Sequence, residues 1–286
     1  MTPSARQPGV FTVQAVARRE GQEFREGYRT VSYEHIQDRH LIRPATATVE
    51  VLNVKADPRA TVGYVMGAGD EVAAGLRQLG VSLTMLTPDD IAYGDLSRYS
   101  TIVTGIRAYQ TRPELKSQHL RLMKYVEEGG NLVVQYNKFE FNWASEPPRA
   151  VGFSPRRGAR ADSPFAPYPA VVSDNRITDE NAPVKVLDPA NPVLTAPNRI
   201  GPEDWQGWVQ ERGLYFLDAH DPHYVELISM TDPFPKNPGE KKGALVVAPV
   251  GMGTWTYVGL GLWRQIPAGT PGAYRLLANL VSRPRG

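Results

Sequence analysis

After Ala60, short apolar runs alternate with amphipathic segments, and this alternation constrains the fold more than any other feature of the chain. TVGYVMG has the composition of a buried strand. The following AGDEVAAGLRQLG has apolar residues at helical spacing, with Asp70 as the predicted N-cap and Gly80 as the stop. Strands and helices that alternate in this way form parallel sheets with right-handed crossovers. We therefore predict an α/β fold with a doubly wound, mainly parallel sheet over residues 61–286.

Later segments extend the pattern to the end of the chain. VSLTMLT, STIVTG and NLVVQYN are predicted strands, and RPELKSQHLRLMKYVEEGG is predicted as one helix. GALVVAPV and GTWTYVGL are predicted to form a hairpin at the connecting GMG. AGTPGAYRLLANLVSR is predicted as an amphipathic closing helix.

The segment before residue 60 has a different period. FTVQAVARR, GYRTVSYEHI and ATATVEVLNV alternate apolar with polar residues, and EGQEFRE and RHLIRP are expected to connect them. Three such strands are too few to bury a sandwich core by themselves. We therefore predict that residues 1–56 are antiparallel strands at the end of a β-sandwich domain, within a larger polypeptide.

Between residues 138 and 197 the periodicity is lost. SEPPRAVGFSPRRGARADSPFAPYPA is rich in proline and arginine, which predicts an insertion in the α/β domain. A lid, a subunit-contact arm, a partly disordered loop and an ordered surface excursion all fit this composition.

Composition excludes several classes of function. The chain has no cysteine, so disulfides, thiolate metal sites and a cysteine nucleophile are all excluded. A net charge of +2, spread evenly, argues against nucleic-acid binding. No stretch reaches the roughly 18 apolar residues of a membrane span, and MTPSARQPG has no apolar signal core.

The order of VGYVMGAGDEVAAGLRQLGVSLTML, STIVTGIRAYQTRPEL, YVEEGGNLVVQYN, GWVQERGLYF and GTWTYVGLGLWRQIPAGTPGAYRLLANL carries a family resemblance. It resembles the class I glutamine amidotransferase-like domain at the C-terminus of large bacterial PIG-L (LmbE-like) deacetylases. The resemblance covers nearly everything after Ala60 and implies a flavodoxin-like sheet. It also implies a preceding sandwich domain, ThuA-like proteins and the trimerisation domain of certain β-galactosidases as fold relatives, and a periplasmic or secreted location in a bacterium.

The resemblance also indicates what this chain lacks. PIG-L enzymes hold zinc through a His-Pro-Asp-Asp-type motif and a distant histidine, and that motif is absent here. We therefore expect no cofactor in this chain, with zinc confined to a separate deacetylase domain. Catalytic amidotransferases carry a cysteine after the third main strand and a His-Glu pair after the last strands. The matching segments, Gly105-Ile106-Arg107 and GLGLWRQ, supply no cysteine, serine or histidine, so we expect no amidotransferase activity.

The carboxyl ends of the predicted parallel strands form the first candidate ligand site, because ligands collect at that edge of open sheets. Arg107 is expected to hold a carboxylate or a sugar hydroxyl there, or else to pair internally with Asp70 or Glu140. The loop with Trp263 and Arg264 is expected beside it, either contributing to a pocket or plugging it. Asp70 and Asn137 are expected to add hydrogen bonds to the ligand, and the other candidates at this edge are Gly67, Gly69 and Tyr109.

Two further groups are weaker candidates. Trp205 and Trp208, flanked by acids, have the composition of a sugar-stacking site, although such rings more often cover a core. His220 and His223 in DAHDPHY provide metal-binding side chains, with a solvated loop as the alternative.

We therefore expect a non-catalytic accessory domain of a PIG-L family deacetylase that binds glycans or assembles subunits. Its expected partners are the rest of a larger polypeptide with its deacetylase domain, a glycan and further copies of the chain. The alternatives are an independent hydrolase of a sugar or amide that uses Asp70, His220 or His223, and a purely structural oligomerisation domain with an exposed apolar patch.

Overall fold

A computed structural model describes residues 7–138, 165–219 and 221–286. The chain forms two compact units, a first unit that ends at Asn53 and a second unit that begins at Val54. The strands are β1 Gly9–Gln14, β2 Ala17–Arg19, β3 Gln22–Phe24, β4 Glu26–Val31, β5 Arg39–Pro44, β6 Thr46–Val51, β7 Thr61–Val65, β8 Ser82–Met85, β9 Thr101–Thr104, β10 Asn131–Gln135, β11 Ala170–Val172, β12 Arg176–Ile177, β13 Val184–Val186, β14 Gly213–Leu214, β15 Leu217–Ala219, β16 Val225–Glu226, β17 Ile228–Thr231, β18 Glu240–Lys241, β19 Leu245–Val250 and β20 Gly253–Val258.

The α-helices are short. They are α1 Val72–Gln78, α2 Pro88–Tyr93, α3 Ala108–Thr111, α4 Pro113–Ser117, α5 His119–Glu127, α6 Pro192–Thr195, α7 Leu262–Gln265 and α8 Pro271–Val281, and 3-10 helices cover Leu96–Arg98 and Pro202–Trp205. Within the described residues, no helix combines the length and apolar character needed to cross a membrane.

A seven-stranded mixed sheet organises the second unit, in the order β16-β19-β20-β10-β9-β7-β8. The five strands from β20 to β8 are parallel, and β19 and β16 are added antiparallel at one side. Numbered along the chain, the parallel strands lie in the order 2-1-3-4-5. The sequence-based prediction of an α/β fold with a mainly parallel sheet is confirmed.

The sheet is covered on both faces, as is usual for mainly parallel sheets. Every residue of β9 and β10 is buried. On one face Ile102, Leu132 and Trp255 pack in the apolar cluster that includes residues of α5. On the other face Asn131 Nδ2 donates to Leu280 O of α8 at 2.7 Å.

Three local predictions need correction. Asp70 is not the N-cap of α1, because that position is taken by Glu71, and Asp70 Oδ1 instead accepts from Val72 N at 3.0 Å. The long helix predicted after residue 112 is divided into α4 and α5, because Gln118 has non-helical dihedrals. Helix α2 was not predicted, although its start carries a capping box between Thr87 and Asp90.

The described part of the predicted insertion contains regular secondary structure, although the sequence shows no periodicity there. Residues 139–164 lie outside the described residues. From Phe165 onward the segment contains β11, β12, β13 and α6, because its strands pair with β15, β14 and β17 in small antiparallel sheets. Phe165 is buried, and its carbonyl accepts from Trp255 Nε1 at 3.1 Å.

The first unit consists of three antiparallel strand pairs, β1 with β6, β2 with β3 and β4 with β5. The expected connections EGQEFRE and RHLIRP are wrong as loops. They contain β3 and β5, because main-chain pairing with β2 and β4 forms regardless of their polar side chains. Assignment of this unit to a sandwich domain stays a prediction.

Candidate functional site

The carboxyl ends of β7, β9 and β10 meet at one edge of the sheet, and main-chain hydrogen bonds join the turns that follow them. Ala68 N donates to Ile106 O at 2.9 Å, and Arg107 N donates to Tyr136 O at 2.8 Å. A Cβ on Gly67 would lie 2.0 Å from Ile106 O, so the close approach of the first two turns requires glycine. The predicted edge residues Gly67, Asp70, Arg107 and Asn137 are thereby brought together, with Gly69 exposed in the first turn.

Arg107 occupies the sharp turn between β9 and α3 in a left-handed conformation, with φ 57° and ψ 21°. This conformation costs a residue with a Cβ about 1–2 kcal/mol. The half-buried guanidinium donates from Nε to Gln110 Oε1 at 3.2 Å. Among the described residues no carboxylate forms an ion pair with it. Glu140, one of the two internal partners considered, lies outside the described residues.

Asp70, the other partner considered for Arg107, is engaged elsewhere. Its Oδ1 accepts from Tyr64 OH at 2.6 Å, and its Oδ2 accepts from Ile106 N at 3.2 Å. Burial raises the pKa of Tyr64 well above its usual value, and the Asp70 charge adds to this rise, so the phenol stays a donor. Asp70 therefore ties the turn after β7 to the turn after β9.

Beneath this edge lie buried polar side chains whose hydrogen-bonding capacity is incompletely used. Asn137 is 0% exposed, with its Nδ2 donating to Gln135 O at 3.3 Å. Within the described part of the chain, Asn137 Oδ1, Gln135 Oε1 and Thr104 Oγ1 have no hydrogen-bond partner. Buried acceptors of this kind normally bind ordered water or a polar ligand.

Aromatic rings form one side of the edge. Tyr136 stacks on Tyr215 with ring centroids 5.6 Å apart and contacts Trp263 at 4.4 Å. Burial raises the pKa of Tyr136 to about 12, and the nearby charges of Arg107 and Arg264 oppose this rise. The charges of both arginines therefore act on the same phenol.

Arg264 is held in place beside these rings. Its Nε donates to Glu211 Oε1 at 2.8 Å, and its guanidinium lies 5.4 Å from the Trp263 ring centroid. The predicted loop carrying both residues is in fact α7, because Gly261 starts a helical turn directly after β20. Tyr136 and Tyr215 were not among the side chains predicted for this edge. Tyr136 lies near the end of the predicted strand NLVVQYN, which was a usable signal, whereas no pattern marks Tyr215, whose φ is 56°.

Tyr109 points away from the edge into the core. It is 1% exposed, and its ring packs edge-on against Phe165 with centroids 6.2 Å apart. Burial raises the pKa of its phenol. Tyr109 was predicted to lie at the edge, but its side chain therefore packs in the core.

Trp205 and Trp208 are also buried, 6% and 4% exposed. Their rings are 5.6 Å apart, and Trp208 Nε1 donates to Asp204 O at 3.0 Å. Arg275 of α8 forms an ion pair with Asp204 at 2.8 Å, which fixes this segment to the helix. Both rings therefore pack over the core, which was the alternative to sugar stacking in the interpretation of the sequence.

His223 forms a local pair with Asp221. The Nδ1 of His223 lies 2.7 Å from Asp221 Oδ1, and the ring stacks on Tyr168 at 4.3 Å. Hydrogen bonds from His223 lower the pKa of Asp221. His220 lies outside the described residues. Among those that are described, no three His, Cys, Asp or Glu side chains are grouped to hold a metal ion.

No family model matches the chain, and no curated protein matches it. Among solved structures, the chain is similar to a β-galactosidase from Rahnella sp. R3, with 16% identity and a TM-score of 0.41 over 77% of this chain and 30% of that one. A cytoplasmic protein from Salmonella typhimurium is similar with 15% identity and a TM-score of 0.46, over 91% of this chain and 96% of that one. The chain thus spans about 30% of the length of the β-galactosidase.

Proposed function

We propose that residues 61–286 form a non-catalytic ligand-binding domain whose site is the carboxyl edge of the sheet, with Arg107 as the main anchor for the ligand. The observation that carries this proposal is the conformation of Arg107. A strained arginine occupies a strand-to-helix turn, and no carboxylate among the described residues neutralises it. Backbone strain of this kind concentrates at binding and catalytic sites.

The strand order supports the position of the site. The order 2-1-3-4-5 is that of flavodoxin-like sheets, in which ligands bind where the strand order reverses, between the first and third strands. Those strands are β7 and β9 here, and the turns after them are the ones that Asp70 ties together. We propose the class I glutamine amidotransferase-like variant of this fold, on the resemblance of the segments after Ala60.

The chemistry of the edge favours a polar, hydroxyl-rich ligand. Arg107 offers donors for hydroxyl or carboxylate oxygens, and Tyr215 and Trp263 offer aromatic rings of the kind on which sugar rings stack. The free acceptor of Asn137 adds a place for water-mediated contact. We propose a glycan as the ligand and an accessory role beside a PIG-L deacetylase domain, which would hold the zinc and the catalytic groups.

The hydrolase alternative has less support. Both carboxylate oxygens of Asp70 already accept hydrogen bonds from within the fold, so this group is not poised as a base. His223 is exposed and paired only with a carboxylate two residues away.

The test is a titration of intrinsic tryptophan fluorescence with N-acetylated oligosaccharides and simple sugars. We expect a saturable change in wild type and at least a tenfold weaker affinity in Arg107→Ala, because a charge-assisted hydrogen bond contributes about 1.5–3 kcal/mol. Arg98→Ala is the matched control, since Arg98 is an exposed arginine just before β9, at the opposite edge. Trp263→Phe identifies the reporter ring.

Either of two results would contradict the proposal. A flat response from folded wild type would rule out binding of the sugars tested. Equal affinities for wild type and Arg107→Ala would remove Arg107 as the anchor.

A further inference from the structure

The two edges of the seven-stranded sheet differ in how they are protected. At one edge β16 is only two residues long, and its Glu226 pairs with Lys242 at 3.7 Å. Short strands and charges of this kind discourage pairing with another chain. At the other edge β8 runs for four residues, and the segment from Val81 to Leu86 contains no charge and no proline. The edge at β8 therefore lacks the usual protection.

The main-chain hydrogen bonds establish which groups of β8 point outward. Ser82 N donates to Ala60 O at 3.2 Å and Leu86 N donates to Tyr64 O at 2.8 Å, so both face β7. In a parallel ladder the residues alternate, so Thr84 also faces β7, while the N–H and C=O groups of Leu83 and Met85 face away. No strand within residues 7–138, 165–219 and 221–286 pairs with this outer side.

The exposed edge is complementary to itself. If two copies of β8 run antiparallel with Thr84 opposite Thr84, then Leu83 lies opposite Met85 of the other copy. The outward groups of Leu83 and Met85 then exchange four main-chain hydrogen bonds across the dimer, which is the hydrogen-bonded type of pair. Thr84 forms the central non-hydrogen-bonded pair, and cross-strand threonine pairs are favourable. The segment from Val81 to Leu86 contains no charged residue, so no like charges would lie opposite each other in this pairing.

The side chains agree with this pairing. Met85 is 37% exposed although it is apolar, and Leu83 lies on the same side of the sheet, half-buried. The pairing would bring Met85 of each copy against Leu83 of the other and remove both from water. On the opposite side of the sheet Thr84 and Ser82 are exposed and leave room for a second copy.

We propose that the partner of β8 is a second copy of this chain, joined antiparallel about a two-fold axis at Thr84, so that the two sheets become continuous. Such a self-complementary contact is the isologous type that builds closed dimers. This inference does not depend on the ligand proposed for the carboxyl edge.

The absence of cysteine from the chain permits a direct test by cross-linking. Thr84→Cys places two thiols opposite each other across the axis, where Cα atoms are about 4.5 Å apart in a non-hydrogen-bonded pair, within disulfide reach. Ser82→Cys is the control in the same strand, on the same side and also exposed. In the proposed register the two Ser82 positions are offset by about 13 Å along the strands, beyond that reach.

We expect native Thr84→Cys to form a disulfide-linked dimer under mild oxidation, and Ser82→Cys to stay unlinked. Mass measurement in solution should give a dimer for wild type and a monomer for Thr84→Lys, because that change sets like charges directly opposite each other on the axis. Circular dichroism checks that every variant is folded.

A wild type that is monomeric up to high protein concentration would overturn the proposal. So would a dimer that persists in Thr84→Lys and does not cross-link through Thr84→Cys, because it would use another surface.

Discussion

Replacing Arg107 with glycine is expected to relieve backbone strain in the α/β unit, by an amount that comparison with alanine at the same position reveals. Arg107 has φ 57° and ψ 21°, a conformation that costs about 1–2 kcal/mol for a residue with a Cβ. Glycine adopts it without that strain, but loses about 0.5–1 kcal/mol of additional chain entropy on folding. The difference leaves a net gain of about 0.5–1 kcal/mol from the backbone.

Arg107→Ala is the comparison that isolates this backbone effect. Both variants lose the hydrogen bond from Arg107 Nε to Gln110, so its contribution cancels between them. Only the alanine variant keeps a Cβ and therefore the strain. The free energy of unfolding should thus be higher for Arg107→Gly than for Arg107→Ala by about 0.5–1 kcal/mol.

Urea unfolding followed by tryptophan fluorescence measures this difference. All five tryptophans follow residue 142, so the signal reports on the second unit alone. With equal slopes, a shift in the midpoint is a change in stability. A midpoint for Arg107→Ala equal to or above that of Arg107→Gly would refute the assignment of strain to this turn.

Two further outcomes follow from the same edge and the core below it. Gly67→Ala should destabilise the fold by about 1–3 kcal/mol, because its Cβ would lie 2.0 Å from Ile106 O. Gly261→Ala is the comparison, because Gly261 has a negative φ and an added Cβ would make no contact shorter than 3.5 Å. Equal urea midpoints for the two variants would contradict this close packing. For the buried tyrosines, burial raises the phenol pKa above the ordinary value of about 10. The free energy that these neutral phenols contribute to folding is therefore complete below about pH 10, and it is lost as the pH rises through their pKa values in the folded protein. Ultraviolet titration should therefore show their ionisation only above pH 11, together with unfolding, whereas ionisation of all thirteen tyrosines near pH 10 in a folded protein would contradict it. These tyrosines are Tyr64, Tyr109, Tyr125, Tyr136, Tyr224 and Tyr257.

Hydrophobic periodicity was sufficient to predict the main sheet. The four strands TVGYVMG, VSLTMLT, STIVTG and NLVVQYN correspond to β7, β8, β9 and β10, and the hairpin of β19 and β20 lies at the predicted place. β7, β9 and β10 are buried on both faces, so their composition carries the signal directly, whereas the edge strand β8 is mostly exposed. The strands of the first unit carry less signal, since their apolar side chains, such as Phe11 and Tyr28, remain exposed.

The candidate site was only partly predictable, because the strand ends specify position but not side-chain direction. Arg107 and Asn137 were expected at the edge from the strands that precede them. Tyr109 is only two residues beyond Arg107, yet the helical turn of α3 directs it into the core. Tyr215 reaches the edge from a segment with no period, and it is held there by Tyr257 OH, which donates to its carbonyl at 2.7 Å. Long-range contacts of this kind leave no local pattern in the sequence.

Asp70 and Arg107 differ in role at the carboxyl edge of the sheet: Asp70 holds the structure of the turns, and Arg107 is the proposed binding group. Both carboxylate oxygens of Asp70 accept hydrogen bonds, from Tyr64, Val72 and Ile106, and these bonds fix the turn in which Arg107 lies. Among the described residues, the Arg107 side chain makes one hydrogen bond, to the amide of Gln110, although its backbone conformation is unfavourable. These features agree with the proposed role of Arg107 as a binding group. The hydrogen bonds of Asp70 hold the turn, so the Arg107 guanidinium is fixed in place before a ligand binds. If Arg107→Gly is more stable than Arg107→Ala and both variants bind the ligand weakly, the strain is the cost of that preorganisation.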